Sequence, residues 1–511
     1  MSRAMVPDAV VVGGGSAGCV LAARLSEDPA RKVLLIEAGP DHRTQQGTPA
    51  DLLNALEVCY NPAYDWGFFS EPDQAGRSIR LWRARVMGGC SAINAAMALR
   101  GSPADYDAWA ADGNPGWSFA EVLPFFKALE NDADFHDDWH GSTGPLPIHR
   151  AGQDELTGLQ RAFHESASQR GHIPVTDHNA PGAVGIGPIP SNGRDGTRMS
   201  TALTYLAGAR GRPNLEIRPD SLVDRVSIES GRAVAVILAS GETVAAGQVL
   251  LAAGAYSSPA LLLRSGVGPA DDLRRLGITS KADLPGVGRG LIDHPLLGVD
   301  YPYAGAVGPG PKYGVMLTLR SLAARTPAPD LHIFAAGPFE VAESPTGAVF
   351  ALVVSVVKPL SRGWLKLRSA DPTVPPQIDV AHLRHPADLG RMREAVREAR
   401  RLSRQEPLGR FVAGPELAPG AGTADGDGDE AALSAAVRSA VDTYHHPVGT
   451  CRMGPDPAAG AVVNADGRVH GVEGLLVADA SVMPDVPAAN TNLPTIMVAE
   501  RLAMRLIART I

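Results

Sequence analysis

Cysteine is scarce in this 511-residue sequence, and its spacing suits neither a metal site nor a disulfide framework. Cys19, Cys59, Cys90 and Cys451 are scattered along the chain without a Cys-x-x-Cys pair. We therefore expect four reduced cysteines in packed positions and no bound metal ion.

Long apolar runs and an excess of positive charge are also missing. The longest apolar run, 348–357, is too short to cross a bilayer and predicts a buried strand, so we expect no transmembrane segment. The N-terminal residues lack the apolar core and cleavage site of a secretory signal, which favours a cytoplasmic location. A net charge of -8 without a basic cluster argues against a nucleic-acid partner.

The start of the sequence predicts a strand, a helix and a second strand. The apolar segment Ala9–Val12 leads into glycines, the Ala-rich segment Ala17–Leu25 follows, and Lys32–Ile36 ends in a second apolar run. This order is typical of a parallel sheet covered on both faces, so the predicted fold class is α/β. A chain of this length is expected to form two domains, or one domain with a large insertion.

The glycines after the first strand form the dinucleotide-binding pattern G-x-G-x-x-G. Gly13 allows the tight turn, Gly15 lets the backbone approach a pyrophosphate, and Gly18 lets the helix pack close to the strand. Glu37 ends the second strand about twenty residues later, where a carboxylate binds ribose hydroxyls. NAD and FAD both fit this unit, and a glycine turn in a nucleotide-free sheet is the structural alternative.

The middle of the sequence changes in composition. The segment 141–190 is rich in Pro, Gly and His, and predicts a crossing between domains without regular helices. Beyond residue 296, longer strands such as Val349–Val357 predict a mixed or antiparallel sheet. Ala387–Leu402 carries one apolar stripe at helical spacing, which predicts an amphipathic helix packed on that sheet. The Gly- and Asp-rich segment 415–430 predicts an exposed loop.

Five further segments together form a family pattern. They are ARVMGGCSAINAAMALRG (84–101), GAYSSPALLLRSGVG (254–268), LPGVGRGLIDHP (284–295), HHPVGTCRMG (445–454) and LLVADASVMPDVPAANTNLPTIMVAE (475–500). In their order and spacing the sequence resembles the glucose/methanol/choline (GMC) oxidoreductase family. The resemblance implies FAD as cofactor and hydride transfer from an alcohol carbon to flavin N5.

The resemblance also implies a Rossmann-like FAD-binding domain with an inserted α+β substrate domain built on the mixed or antiparallel sheet. The expected FAD-binding segments are 1–140, 200–296 and 441–511, and the last of them carries the catalytic residues. The expected substrate-domain segments are 141–199 and 297–440.

Cofactor contacts are implied at positions spread over the chain. Gly88 suits a backbone that passes close to a flat ring, where a Cβ would clash. Asp479 follows an apolar strand, where a doubly wound sheet presents ligand contacts, although a turn cap is the alternative. The implied set also contains Ser16, Ala17, Met87, Ser91, Asn94, Ala95, Val223, Ala480 and Asn492. Ile93 stands where some relatives attach FAD covalently through a histidine, so we expect a non-covalent FAD.

An alcohol releases hydride easily only when a base takes its hydroxyl proton, and histidine is the natural candidate near neutral pH. By resemblance the base is His446, and its partner is Asn490, whose amide would hold the alcohol oxygen. His445 is the main rival among the fourteen histidines. Because neighbouring side chains on an extended segment point to opposite faces, we expect only one of the two to reach the flavin.

Taken over its whole length, the sequence most resembles bacterial family members that oxidise primary alcohols on aromatic or heteroaromatic rings. These members are oxidases of the hydroxymethylfurfural and pyridoxine types. The predicted reaction converts such an alcohol to the aldehyde, with oxygen or another electron acceptor. A hydroxynitrile lyase that keeps FAD without using it is a less favoured alternative. An NAD-dependent reductase is suggested only by the Rossmann unit taken alone.

Overall fold

The computed structural model describes residues 6–420 and 430–508. The first strand of the described chain belongs to a parallel sheet. Its five strands lie in the order Leu215–Arg218, Val33–Ile36, Ala9–Val12, Gln248–Leu251 and Leu475–Val477. Ala9 lies beside Val33 on one side and beside Gln248 on the other. The predicted strand, helix and strand are confirmed, and the helix spans Ser16–Leu25.

This sheet is deeply buried, which explains its sequence. Every residue of Ala9–Val12 and of Val33–Ile36 is buried. The helices Ser16–Leu25 and Asn492–Ala508 pack against each other beside these strands. Strands covered in this way have no solvent-facing side chains, so their sequences are continuously apolar instead of alternating.

A six-stranded antiparallel sheet forms the second part of the α/β fold. Its strands lie in the order Asp442–Thr443, Pro295–Pro302, Ala348–Val356, Leu331–Glu340, Tyr313–Leu319 and Ile186–Pro188. Each neighbouring pair is antiparallel, and Ala336 lies opposite Ala351. The predicted mixed or antiparallel sheet is therefore antiparallel.

The two faces of this sheet have different surroundings, because successive side chains on a strand point to opposite sides. One face, which includes Leu352, packs with the helices Gly158–Gln169 and Pro386–Ser403 in one apolar core. The other face, which includes Phe334 and Val353, belongs to a separate apolar cluster. The second face is available to line a site.

The prediction of a crossing without helices over 141–190 is wrong, because the helix Gly158–Gln169 lies inside it. The Thr157 hydroxyl accepts the Gln160 N–H at 3.3 Å, and the Gln160 side chain accepts the Thr157 N–H at 3.1 Å. This capping box and the buried pair Leu159 and Phe163 stabilise a helix within a Pro- and Gly-rich segment.

The other predictions about the middle of the chain have mixed outcomes. The amphipathic helix is confirmed and spans Pro386–Ser403, packed on the strand Ala348–Val356. The predicted loop 415–430 lies largely outside the described residues, which omit 421–429. The four cysteines are free, as expected. No described helix combines the length and apolar character that crossing a membrane requires.

Shorter elements complete the described chain. The remaining α-helices are Ala50–Leu53, Pro103–Ala111, Phe119–Leu129, Ala207–Ala209, Gly254–Arg264, Ala270–Arg275 and Glu430–Ala440. Short 3-10 helices span Pro62–Tyr64, Gly89–Ala92, Leu408–Phe411, Pro457–Ala459 and Ala480–Val482, and a π-helix spans Ala202–Leu206. Smaller sheets use Phe68–Phe69, Arg80–Leu81, Glu130–Asp132, Leu146–Arg150, Pro190–Ser191, Gly193–Arg194, Thr197–Arg198, Val223–Glu229, Arg232–Leu238, Thr243–Ala245, Val267–Gly268, Ala282–Asp283, Arg289–Leu291, Gly363–Lys366 and Gln377–Asp379.

Leu352 is fully buried in the core of the antiparallel sheet, whereas Leu322 is 97% exposed. We expect Leu352→Ala to lower the free energy of unfolding by about 2–5 kcal/mol, because the substitution leaves a cavity. Denaturant unfolding of the holoenzyme measures the change, with Leu322→Ala as the control. Equal unfolding midpoints for the two variants would contradict this account of the core.

Candidate active site

One large cavity takes its wall from both sheets. Its volume is about 650 Å³, within the range of ligand pockets. Glu37 contributes from the parallel sheet, and Phe334 and Val353 contribute from the antiparallel sheet. His446 and Asn490 lie on the same wall, so the predicted nucleotide loop and the predicted catalytic pair share one cavity.

The first glycine loop has no room for side chains at its turns. Gly13 has a φ of +100°, and a Cβ there would lie 2.7 Å from the Ala252 carbonyl oxygen. A Cβ on Gly18 would lie 1.7 Å from the Gly13 carbonyl oxygen. Ser16 begins the helix at the cavity wall and donates its hydroxyl to Asn492 Oδ1 at 2.8 Å. The loop therefore presents backbone N–H groups of a helix start, which suits a phosphate.

Glu37 lies at the carboxyl end of the strand Val33–Ile36. Its carboxylate accepts the backbone N–H of Gly14 at 2.7 Å and that of Gly39 at 2.8 Å. Burial raises the pKa of Glu37 to about 7, although these hydrogen bonds act in the opposite direction. The carboxylate lies on the cavity wall, where it can also accept ribose hydroxyls.

A second glycine segment meets the first one. Gly88 and Gly89 have φ values of +96° and +51°, and a Cβ on Gly89 would lie 2.6 Å from the Cα of Gly15. Gly15 and Gly89 thus leave bare backbone on the cavity wall, where a flat or phosphorylated group can approach closely. The Ser91 hydroxyl points away to donate to the Gly88 carbonyl at 2.6 Å.

The structure brings most of the predicted cofactor residues to this cavity. Those on its wall are Gly13, Gly15, Ser16, Ala17, Glu37, Asn94, Ala95, Val223, Asp479, Ala480 and Asn492. The other predicted residues, Gly18, Met87, Gly88 and Ser91, lie behind the wall. We infer that these four residues shape the two glycine loops that form the wall.

Asp479 caps a turn, which is the alternative role considered for it from the sequence, and it also lies on the cavity wall. Its Oδ1 accepts the Ser481 N–H at 2.8 Å and so caps the short turn after the strand. Its Oδ2 accepts the Gly254 N–H at 2.8 Å and the Ser258 hydroxyl at 2.5 Å. Burial raises the pKa of Asp479, and it lies on the cavity wall as well.

The two predicted catalytic side chains are in contact. Asn490 Nδ2 lies 3.3 Å from His446 Nε2, and both residues are buried. Burial is the largest cause that lowers the pKa of His446 well below its usual value, followed by the neighbouring His294. His446 is therefore neutral near pH 7, as a general base must be.

The prediction that His445 and His446 lie on an extended segment is wrong. His445 has a φ of +65°, in the left-handed region. Its N–H donates to Thr443 Oγ1 at 2.8 Å, and its carbonyl accepts the Arg83 guanidinium at 2.8 Å. Both imidazoles line the cavity, and His446 is the one that contacts Asn490.

Several wall residues were not predicted from the sequence. The Arg83 guanidinium lies 5.5 Å from the centre of the Tyr256 ring, and the Tyr444 ring lies 4.3 Å from that of His446. His294 Nδ1 lies 3.0 Å from His446 Nδ1, behind the wall. The LIDHP segment quoted above contains His294, but no local pattern indicates which side chain it contacts.

The wall chemistry fits FAD. Five buried polar atoms of wall residues have no protein partner in the described structure, namely Arg83 Nε, the Tyr256 hydroxyl, His445 Nδ1, Asn490 Oδ1 and Asn492 Nδ2. Buried polar groups are normally satisfied, so these atoms suit a polar ligand. Together with the bare glycine backbones and Glu37, they define a dinucleotide-binding protein whose cavity also holds the pair His446 and Asn490.

Comparison with known proteins identifies the family to which the chain belongs. Family models described as GMC oxidoreductase match residues 7–296 and 359–499. The chain belongs to the GMC oxidoreductase family, and it is an FAD-dependent oxidoreductase that acts on CH–OH groups.

Individual relatives match over nearly the whole chain. The chain is 38% identical to 5-(hydroxymethyl)furfural oxidase of Methylovorus sp. (strain MP688), over 97% of this chain and 98% of the relative. It is 37% identical to mitochondrial choline dehydrogenase of Mus musculus, over 97% of this chain and 88% of that one. The crystal structure of pyridoxine 4-oxidase from Mesorbium loti matches with a TM-score of 0.90 and 35% identity, over 98% of this chain and 99% of that one.

Gly89 and Gly76 both have a positive φ, but only the Gly89 Cβ would meet another backbone. We expect Gly89→Ala to lose most of its FAD, because the added methyl group would push the two glycine loops apart. Gly76→Ala is the matched control, since its Cβ would meet nothing within 4 Å. The ratio of flavin to protein absorbance after purification measures the loss. Full FAD content in Gly89→Ala would contradict the close approach.

Proposed function

We propose that this enzyme oxidises a primary alcohol on an aromatic or heteroaromatic ring to the aldehyde, with His446 as general base and Asn490 as its partner. The observation that carries the proposal is the 3.3 Å contact between His446 Nε2 and Asn490 Nδ2 on the cavity wall. A neutral imidazole and an amide donor in contact are the two groups that an alcohol oxygen needs.

An alcohol hydroxyl between the two groups would donate to His446 Nε2 and accept from Asn490 Nδ2. As Nε2 takes the proton, the amide N–H stabilises the negative charge that develops on the oxygen. These two contacts also fix the direction of the C–H bond. FAD, when bound, supplies the hydride acceptor.

The proposal assigns the FAD contacts to the wall residues predicted from the sequence. The loop Gly13–Ala17 would hold the pyrophosphate, Glu37 the ribose, and Val223 the adenine. Ile93 lies on the wall and has no nitrogen to form a histidyl bond, which supports non-covalent attachment.

The surroundings of the catalytic pair support a ring substrate. Tyr313, Phe334 and Tyr444 supply aromatic side chains to the wall. Ala336 and Ala351 lie directly opposite each other on neighbouring strands, and their short side chains line the cavity. Aromatic side chains favour offset or edge contacts with a flat ring. Two similar proteins, 5-(hydroxymethyl)furfural oxidase and pyridoxine 4-oxidase, are named for ring alcohols.

Few acidic side chains lie on the described cavity wall. Those on the described wall are Glu37, Asp442 and Asp479. Glu37 and Asp479 bind backbone N–H groups of the nucleotide-binding part, and Asp442 is solvent-exposed. A cationic alcohol such as choline would meet aromatic faces but no partnering carboxylate on this surface, so only part of its lost hydration would be replaced.

His446→Ala tests the base. We expect bound FAD to remain and kcat to fall about 10²–10⁴-fold, because the proton acceptor is lost. His164→Ala, on the helix Gly158–Gln169, is the control and should keep wild-type turnover. Since the pKa of His446 is lowered, wild-type kcat should stay constant as the pH falls through 6.5 and decline only below it. Turnover of His446→Ala at the wild-type rate would refute the assignment.

Stopped-flow mixing of the oxidised enzyme with alcohols under anaerobic conditions tests the substrate class. We expect benzylic and heteroaromatic primary alcohols to bleach the flavin band with a kcat/KM at least about 10²-fold above that of choline, as expected for an uncompensated charge. Admission of air then distinguishes an oxidase, with rapid recovery and peroxide, from a dehydrogenase, with slow recovery. A preference for choline would overturn the ring-alcohol assignment.

A further inference from the structure

The nitrogen of His446 that faces away from Asn490 has a partner of its own. His446 Nδ1 lies 3.0 Å from His294 Nδ1, and the two rings are almost perpendicular, at 88°. His294 is fully buried and His446 is 8% exposed. At this distance one of the two nitrogens donates a hydrogen to the other.

The contacts of Asn490 determine which of the two nitrogens, His446 Nδ1 or His294 Nδ1, donates the hydrogen. Its Nδ2 lies 3.3 Å from His446 Nε2 and 3.6 Å from Met97 Sδ. An amide NH₂ only donates and a thioether sulfur only accepts, so His446 Nε2 accepts as well. A neutral imidazole carries one hydrogen, which must then be on His446 Nδ1. His294 Nδ1 is the acceptor, and His294 carries its own hydrogen on Nε2.

We propose that His294 is a positioning residue that holds His446 in the tautomer whose Nε2 lone pair faces the alcohol. The inference rests on the proposed role of His446 as the base. The opposite tautomer would direct an N–H of His446 at the N–H of Asn490 and would offer the alcohol no acceptor. The bond also prevents rotation of the imidazole, because it holds the ring from the side opposite to Asn490.

The residue before His294 holds the backbone of the base. Asp293 Oδ1 accepts the His446 N–H at 2.8 Å, and its Oδ2 accepts the Thr443 hydroxyl. His382 Nε2 lies 3.4 Å from the same carboxylate. Two consecutive residues of the LIDHP segment thus hold two parts of His446: Asp293 holds its main chain and His294 holds its ring.

His294 can act as an acceptor only while it is neutral. Burial is the main cause that lowers its pKa to about 4, and the positive charge of Lys358 acts in the same direction. Asp293 and Asp485 raise the pKa less strongly, as does the Val357 backbone. At neutral pH the ring is therefore uncharged and its Nδ1 lone pair is available.

The tautomer of the wild-type holoenzyme is measured directly by ¹⁵N NMR on protein labelled at its histidine ring nitrogens, with the His446 signals identified by their loss in His446→Gln. The expected result is a protonated Nδ1 and an unprotonated Nε2 on His446. A protonated Nε2 would overturn the proposal. Because no turnover is measured, this result does not depend on the role of His446 in catalysis.

Two substitutions of similar size separate positioning from packing. Asn at 294 can place its amide oxygen where Nδ1 lies, whereas Leu offers no acceptor. We expect His294→Leu to lower kcat about 10²-fold with KM changed less than about threefold, and His294→Asn to recover at least about tenfold of that loss. FAD content and melting temperature are checked in both variants.

Equal impairment of His294→Leu and His294→Asn would show a packing role and overturn the proposal, as would wild-type kcat in His294→Leu. Failure of the proposed function has a different signature, since His446→Ala would then keep its turnover. If His294→Leu does not fold, the NMR measurement on the wild type and the His294→Asn kinetics still decide the question.

Discussion

The wall of the cofactor cavity depends on the close approach of two glycine backbones. Gly15 follows the first strand of the parallel sheet and Gly89 lies in a separate loop, yet a single Cβ on Gly89 would lie 2.6 Å from the Cα of Gly15. Only residues without side chains allow this contact. It brings the helix start and the second loop together on the wall of one cavity, which residues of the antiparallel sheet also line.

Burial is the second constraint, and it acts differently on the pKa values of acids and of histidines. Glu37 and Asp479 are buried carboxylates whose pKa values burial raises, and each accepts backbone N–H groups that partly offset the cost. His294 and His446 are buried imidazoles whose pKa values burial lowers, so both stay neutral. Burial thus prepares a base that is ready to accept a proton, and the hydrogen bonds around it decide which nitrogen does so.

Two predictions from the sequence were wrong for different reasons. One overlooked a short local signal, and the other could not foresee a contact between residues far apart in the chain. The helix Gly158–Gln169 occupies twelve residues of a Pro- and Gly-rich segment, and the average composition of that segment concealed its capping box. His445 is left-handed because Arg83 holds its carbonyl and Thr443 holds its N–H. The bond from Arg83 spans 362 positions of the chain and leaves no trace in local spacing.

The sequence by itself determined the α/β class, the glycine loop, Glu37 and the amphipathic helix Pro386–Ser403, because these depend on backbone conformation and on periodic burial within one short segment. Motif resemblance added the family and the pair His446 and Asn490. Only the tertiary structure decided how the parts meet. Asn490 is 44 positions from His446 and His294 is 152 positions from it. The folded structure alone decides which ring nitrogen of His446 faces Asn490 and which faces His294. The reason is that the direction of a hydrogen bond depends on where the atoms lie in space and not on their separation along the chain.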